Sequence, residues 1–127
     1  MGQQILLDST VVIAAFSASD THHRKAQELF ATTTSTQCAI STISVGEVLI
    51  RPSVAGEDSV NLFLKGLDKL VSQIIPFRQD HARLAALIRA KHKISFVDSM
   101  IMATAVSDNR TLVSFDRKMM GIYERIK

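Results

Sequence analysis

Short apolar runs alternate with longer amphipathic stretches along the sequence. Residues 5–7, 37–40, 73–76 and 111–115 show little polar alternation, which is typical of strands buried on both faces of a parallel sheet. The stretches between these runs carry apolar residues at the spacing of a helix. We therefore predict an α/β fold in which helices connect neighbouring parallel strands.

The amphipathic stretches predict six helices. One directly follows Asp8, and the others cover residues 20–30, 41–50, 55–71, 79–91 and 94–106. The stretch 55–71 has the clearest apolar stripe, formed by Val60, Phe63, Leu64, Leu67 and Val71. The pair Arg51–Pro52 is predicted to end the helix before it, because a residue that precedes proline avoids the helical conformation. A short final strand is predicted near residues 123–126.

Length and composition predict one ordinary globular domain spanning residues 1–127. Hydrophobic residues make up 46% of the chain and charged residues 21%. No apolar run approaches the ~20 residues that a membrane helix needs, and no signal sequence is evident. The single Cys38 cannot form an internal disulfide and is predicted to be a small buried hydrophobe. We expect a cytoplasmic protein without a membrane partner.

Positive charge is concentrated in the second part of the chain. Residues 1–76 carry five Lys/Arg and seven Asp/Glu, a net charge of −2, whereas residues 77–127 carry ten Lys/Arg and five Asp/Glu, a net charge of +5. A basic region of this kind favours a polyanionic partner such as nucleic acid.

The four histidines are not arranged like metal ligands. His22 and His23 are neighbours at a predicted helix start and would point to different sides of that helix. His81 and His92 are eleven residues apart on a polar background. We predict that all four are solvated.

Four carboxylates occupy related positions in the predicted elements. Asp8 and Asp116 end buried strands, and Glu47 and Asp98 lie near helix starts that follow a strand or loop. In a parallel sheet with helical crossovers, strand ends and the helix starts that follow them share one edge. The fold is therefore expected to bring all four acids to one edge of the sheet.

Each acid also has a local structural explanation. Asp8 could cap the helix that follows it, since Asp is a good N-cap residue. Ser44 and Glu47 fit a capping box, and Ser95 and Asp98 fit the related S-x-x-D pattern. These explanations account for the acids one at a time but not for their common edge.

A divalent metal is the natural counter-charge for such a cluster. No Lys or Arg is interleaved at the four positions except Arg117, so the carboxylates would otherwise repel one another. Carboxylate oxygens are hard ligands, which favours Mg²⁺ or Mn²⁺ over Zn²⁺. Acid-only sites of this kind suit two-metal hydrolysis of phosphodiesters.

The chain resembles the PIN-domain family over essentially its whole length, and most closely the VapC-type toxins. The segments that carry the resemblance are residues 7–13, 43–49, 97–105 and 112–116. The resemblance implies a three-layer α/β/α sandwich around a parallel sheet and a Mg²⁺-dependent endoribonuclease acting on single-stranded RNA. It further implies a homodimer and a cognate antitoxin. Its acidic residues would be Asp8, Glu47, Asp98 and Asp116, with Thr10 and Ser114 as supporting hydroxyls.

The sequence departs from the family pattern at two positions, and two alternative functions remain open beside the nuclease. The family often has Asn or Ser where Thr10 stands and a further acid where this chain has Lys118, which puts a second metal in doubt. One alternative is a catalytically silent PIN-like module that binds RNA or protein. The other is an aspartate-nucleophile phosphatase, whose motif needs a second Asp where this chain has Thr10.

Overall fold

The computed structural model describes residues 2–127 and contains a four-stranded parallel sheet. The strands are β1 (Ile5–Leu7), β2 (Cys38–Ser41), β3 (Gln73–Ile75) and β4 (Thr111–Val113), in the spatial order β3-β2-β1-β4. Leu6 of β1 is paired with Ala39 on one side and with Leu112 on the other. The first strand of the chain therefore lies inside the sheet, which explains why it is apolar throughout.

Seven α-helices surround the sheet within the described residues. They are α1 (Ser9–Phe16), α2 (His23–Thr32), α3 (Thr42–Ala55), α4 (Glu57–Leu70), α5 (Gln79–Lys91), α6 (Phe96–Ser107) and α7 (Arg117–Ile126). A 3₁₀ turn at Ser35–Gln37 precedes β2.

Two separate apolar cores lie on the two faces of the sheet, because successive residues of a strand point in opposite directions. Leu6 packs in one core with Ile101 of α6 and Ile122 of α7. Leu7 packs in the other with Val11 of α1 and Leu67 of α4. Helices thus cover both faces, and the predicted three-layer α/β/α sandwich with a central parallel sheet is confirmed.

The third helix runs past the predicted stop. It begins after Ser41, whose side chain accepts a hydrogen bond from the Ile43 N–H at 3.1 Å, and it includes Pro52. Proline removes one backbone hydrogen bond, but the helix continues for one more turn. It ends at Gly56, whose φ of 124° lies in the region that favours glycine and whose N–H donates to the Pro52 carbonyl. The prediction that Arg51–Pro52 ends this helix was wrong.

The predicted final strand near residues 123–126 is also wrong, because this segment belongs to α7. Met119, Ile122 and Tyr123 are buried at helical spacing. The Tyr123 hydroxyl accepts a hydrogen bond from the Leu112 N–H at 3.1 Å and donates to the Arg110 carbonyl at 3.2 Å. The Tyr123 side chain therefore provides a hydrogen-bond acceptor for a backbone N–H of the edge strand β4, a role that a further strand would otherwise have.

Smaller differences concern element starts and burial. Helix α2 begins at His23, and Asp20 instead accepts a hydrogen bond from the His22 N–H at 2.8 Å. Strand β4 ends at Val113, before the predicted end at residue 115. Cys38 is buried as predicted. Between Gly2 and Lys127, no helix combines the length and apolar character needed to cross a membrane.

Candidate active site

Asp8 lies at the carboxyl end of the central strand β1 and is the N-cap of α1. It is only 3% exposed, a costly position for a carboxylate unless hydrogen bonds or a cation compensate it. Its Oδ2 accepts hydrogen bonds from the Thr10 and Ser114 hydroxyls, both at 2.7 Å. Among residues 2–127, no group donates a hydrogen bond to the other oxygen, Oδ1.

The Thr10 and Ser114 hydroxyls form a clamp that fixes the Asp8 carboxylate. The Thr10 Oγ1 accepts from the Phe115 N–H, and the Ser114 Oγ accepts from the Asp116 N–H, both at 3.0 Å. Each hydroxyl therefore accepts a hydrogen bond from the backbone that follows β4 and donates one to Asp8. This hydroxyl clamp joins the ends of the neighbouring strands β1 and β4 and determines which Asp8 oxygen remains free.

Asp116 follows this loop and caps α7. One of its oxygens, Oδ1, accepts a hydrogen bond from the Met119 N–H at 3.1 Å. Its Oδ2 accepts none from the described residues. Asp116 thus resembles Asp8: one oxygen serves the backbone or its neighbours, and the other is free.

Asp98 lies in the first turn of α6, where Ser95 is the N-cap and accepts from the Asp98 N–H at 3.1 Å. Burial raises the pKa of Asp98, and the Asp116 and Asp8 carboxylates raise it further. The Ser95 hydroxyl and the Lys118 ammonium act in the opposite direction. Asp98 is therefore close enough to Asp116 and Asp8 for their negative charges to affect its pKa.

Glu47 projects from the second turn of α3. Burial raises the pKa of its carboxyl, and Asp8 and Asp98 add to the effect, while a contact with the Ser9 hydroxyl lowers it. The predicted capping box with Ser44 does not form, because α3 begins after Ser41. Instead the Ser44 hydroxyl is buried and has no hydrogen-bond partner in the part of the chain that the structure describes.

These contacts bring the four predicted acids into one electrostatic neighbourhood, the acid cluster of Asp8, Glu47, Asp98 and Asp116. Asp8 acts on both Glu47 and Asp98, and Asp98 is also influenced by Asp116. The cluster offers carboxylate and hydroxyl oxygens only, which is the donor set that Mg²⁺ and Mn²⁺ prefer. The free oxygens of Asp8 and Asp116 are available to such an ion.

The sequence matches the PIN domain family from residue 5 to residue 124. The chain belongs to the PIN-domain family. All four members of the acid cluster lie within the matched residues.

Solved structures with the same fold come from several bacteria. This PIN domain is similar to VapC20 of Mycobacterium tuberculosis, a Sarcin-Ricin loop cleaving toxin, with 19% identity, a TM-score of 0.75, and coverage of 93% of this chain and 94% of that one. It is also similar to FitAcB of Neisseria gonorrhoeae, with 20% identity, a TM-score of 0.78 and coverage of 95% and 94%. A toxin–antitoxin complex of Klebsiella pneumoniae gives 25% identity, a TM-score of 0.77 and coverage of 92% and 90%. No match is found among curated protein sequences.

A second group of potential ligands in this PIN domain lies at the other end of α6. Ligand atoms of Asp80, His81 and Asp108 all lie within 4.8 Å of one another. The Arg78 side chain, however, forms ion pairs with both carboxylates, at 3.0 Å to Asp80. The charge that a metal would supply is thus already present.

The hydrogen bonds of His81 support the same conclusion. Its Nδ1 accepts from the Arg78 N–H at 3.1 Å, so the ring proton lies on Nε2, which donates to Asp108 at 2.9 Å. Neither ring nitrogen keeps a lone pair for a metal. His81 is completely buried, so the prediction that it is solvated was wrong. Its acceptor, Asp108, is distant in sequence, and no local pattern could have indicated the pair.

Two other neighbours of the acids were missed from the sequence. Ser9 contacts Glu47, and Lys118 influences Asp98. Each directly follows or nearly follows a predicted acid in the chain, and this adjacency was the available signal. His22, predicted to be solvated, stacks against Phe115 with ring centroids 4.9 Å apart.

Proposed function

We propose that this PIN domain is a metal-dependent endoribonuclease of the VapC type that cleaves single-stranded RNA. The observation that carries the proposal is the acid cluster itself: burial raises the pKa of Glu47 and of Asp98, and the nearby Asp8 carboxylate raises both further. A bound cation would compensate this repulsion, and carboxyls with perturbed pKa values are typical of functional sites.

The proposed cofactor is Mg²⁺ or Mn²⁺, held by Asp8, Glu47, Asp98 and Asp116. When bound to an acid cluster, such an ion activates water and stabilises the oxygen that leaves in phosphodiester hydrolysis. The free Oδ1 of Asp8 and the free Oδ2 of Asp116 are the oxygens that we expect to face it. The ordered donors around the other oxygens keep both carboxylates in place.

The residues of the chain have distinct roles in this proposal. The hydroxyl clamp holds the Asp8 carboxylate in one orientation before any ion binds, in the manner of outer-shell partners that orient metal ligands. Burial raises the pKa values of Glu47 and Asp98, so they retain protons to higher pH in the metal-free protein, and metal affinity should increase as they are deprotonated. Lys118 partly compensates the charge of Asp98.

We extend the proposal to an antitoxin partner and a homodimer. An apolar groove of about 370 Å³ lies between α1, α3 and α4 and is lined by Ile13, Phe16, Val48, Pro52 and Phe63. Its wall includes the residue next to Glu47. Exposed apolar surface of this kind is typical of protein interfaces, and the similar fold in a Klebsiella pneumoniae structure occurs in a toxin–antitoxin complex. Light scattering of the purified protein tests the dimer, and neutralisation of toxicity by a co-expressed neighbouring gene tests the antitoxin.

The decisive experiment for the nuclease is RNA cleavage with matched variants. The protein should cut single-stranded RNA with Mg²⁺ or Mn²⁺ and stop when a chelator is added. Asp8→Asn and Asp98→Asn should both abolish cleavage, whereas Asp68→Asn, a change to an exposed carboxylate on α4, should not. Cleavage that survives at Asp8→Asn would indicate a contaminating nuclease. A correctly folded protein that binds RNA but never cuts it would favour the silent binding module.

A further inference from the structure

A positively charged cleft lies between the C-terminal end of α5 and helix α7, beside the acid cluster. It has a volume of about 420 Å³ and is lined by five cationic side chains: Lys91, Lys93, Arg117, Lys118 and Arg125. We call these residues the basic cleft. They come from two segments of the chain that are more than twenty residues apart, so the fold, and not a local run of charge, brings them together.

The protein compensates the charges of the basic cleft only in part, through the influence of Lys118 on Asp98. Within residues 2–127, none of its five cations forms an ion pair. The carboxylate of Glu124, next to Arg125 in sequence, pairs instead with Lys127 at 2.7 Å. Five cations around one cleft repel one another, and an anionic ligand would relieve that repulsion.

A second cleft lies at the start of α7 and shares one lining residue with the first. It has a volume of about 190 Å³, and its lining includes Lys25, Ser114, Phe115 and Arg117. Arg117 lines both clefts, so they adjoin at this side chain and together outline one path. In the second cleft the His22 ring stacks on Phe115, with an angle of 18° between the ring planes.

Residues that line this path also contact or neighbour the proposed catalytic groups. Ser114, in the second cleft, donates to Asp8 at 2.7 Å, and Asp116 precedes the shared Arg117 in the chain. Lys118, in the basic cleft, is close enough to act on the charge of Asp98. A ligand that follows the two clefts therefore lies next to the acid cluster.

Gly121 lines the basic cleft, and its lack of a side chain leaves the backbone of α7 accessible there. It is exposed inside α7, and a Cβ atom placed on it would meet no atom within 4 Å. Glycine in the interior of a helix is unfavourable, and no packing in the structure requires it here. Close approach of a ligand to the helix backbone is a function that this glycine can serve.

We propose that a single-stranded RNA binds along these two clefts, with its phosphates in the basic cleft and a base near the Phe115–His22 pair. A phosphate backbone repeats its negative charge at every nucleotide, which matches cations distributed along a path, and aromatic rings stack on bases of any sequence. The identification of the strand as RNA rests on the proposed nuclease function. The path itself rests on the positions of the cations.

The test measures RNA binding without cleavage. The Asp8→Asn protein in chelator is titrated against a fluorescently labelled single-stranded RNA of mixed sequence at several salt concentrations. The double change Lys93→Ala/Arg125→Ala is added to this protein, and Lys65→Ala/Lys69→Ala, on α4, is the matched control with the same loss of charge. Melting temperatures of all variants verify folding.

Losing two phosphate contacts should lower the slope of log affinity against log salt by about 1.4 for a single strand. The control should leave the slope unchanged. Equal slopes for the two double variants, or no measurable binding of RNA by the starting protein, would overturn the proposal. Competition by an acidic peptide with an affinity equal to that of RNA would also overturn it, because the cleft would then recognise acidic protein.

The same variants in the active protein separate this inference from the proposed function. Lys93→Ala/Arg125→Ala should raise KM for RNA and leave kcat unchanged, because the cleft binds substrate and transition state alike. If the active protein never cuts RNA but the binding slopes differ as expected, the nuclease proposal fails and the binding path stands. If cleavage is normal and KM does not change, the binding path fails alone.

Discussion

Asp98→Asn separates a structural role from a metal-binding role more clearly than any other single change. Asn keeps the size and polarity of the side chain and removes its charge. The structure leaves little capping function to lose, because Ser95 is the N-cap of α6 and its hydroxyl accepts the Asp98 N–H. The negative charge is favoured by the Ser95 hydroxyl, by Lys118 and by the helix dipole, whose contribution is typically 0.3–1 kcal/mol.

Repulsion works against this contribution in the metal-free protein. Burial and the nearby Asp116 and Asp8 carboxylates raise the pKa of Asp98, so its charged form is disfavoured in the folded state. We therefore expect Asp98→Asn to melt at or above the wild-type temperature in chelator. Asp68→Asn, on an exposed part of α4, serves as the control and should show no metal dependence.

A bound metal ion should make the wild type melt at a higher temperature than Asp98→Asn. An ion at a hundredfold excess over its dissociation constant stabilises the folded state by about 2.7 kcal/mol. An unfolding entropy of about 2.1 cal/mol/K per residue converts this energy, for 127 residues, into a rise of about 10 °C in the wild-type melting temperature. A site weakened a hundredfold would gain only about 0.4 kcal/mol, or 1–2 °C.

The pH dependence gives a second check on the same variant. The folded protein retains the Asp98 proton to higher pH than the unfolded chain does, so the unfolding free energy of metal-free wild type falls as pH rises through the interval between the two pKa values. Asn does not titrate. The variant's advantage in chelator should therefore grow as pH rises above the ordinary Asp pKa of about 4.

Thermal melts of the three proteins, with chelator and with saturating Mn²⁺, decide the matter. If Asp98→Asn melts lower than wild type by the same margin in both conditions, Asp98 has only a structural role. The four-acid metal site would then be wrong.

Two further predictions concern the hydroxyl clamp and the His81 network. Thr10→Val removes the hydroxyl that donates to Asp8 and should weaken Mn²⁺ binding about 10–100-fold, as measured by calorimetry. Thr10→Ser keeps the hydroxyl and should bind Mn²⁺ normally. Equal affinities of the two variants would mean that the clamp does not orient Asp8. Asp108→Ala leaves the buried His81 N–H without its acceptor and should cost about 1–3 kcal/mol in urea unfolding. Asp80→Ala removes only an exposed partner of Arg78 and should cost clearly less. Equal losses for the two variants would contradict this account.

The parts of the fold that could be predicted are those whose signals are local. Strand β1 and helix α5 have the predicted bounds because an unbroken apolar run and a regular amphipathic stripe each determine one structure. The common edge of the acids followed from the geometry of parallel sheets. The hydroxyl roles of Thr10 and Ser114 came only from the family resemblance, because their shared acceptor is visible only once β1 and β4 lie side by side.

The failures have a common cause in contacts between distant residues. The four residues 123–126 are too few to reveal the period of a helix or a strand, and the buried face of α7 and the hydrogen bonds of the Tyr123 hydroxyl favour the helix. His81 stands on a polar background, yet Asp108 and Arg78 satisfy both of its nitrogens and permit its burial. In each case tertiary structure outweighs a weak local preference.

Capping and metal binding are not competing explanations for the acids at strand ends, because a carboxylate has two oxygens. Asp116 uses Oδ1 to cap α7, and Asp8 uses Oδ2 to accept from the hydroxyl clamp, so each retains one oxygen for another partner. The bonds that explain these residues locally also hold the free oxygen in a fixed direction, as a metal ligand requires. Asp98 differs, because none of the described backbone N–H groups donates to its side chain. Asp98 shares this property with Glu47, and because Ser95 already caps its helix, its substitution tests the site most directly.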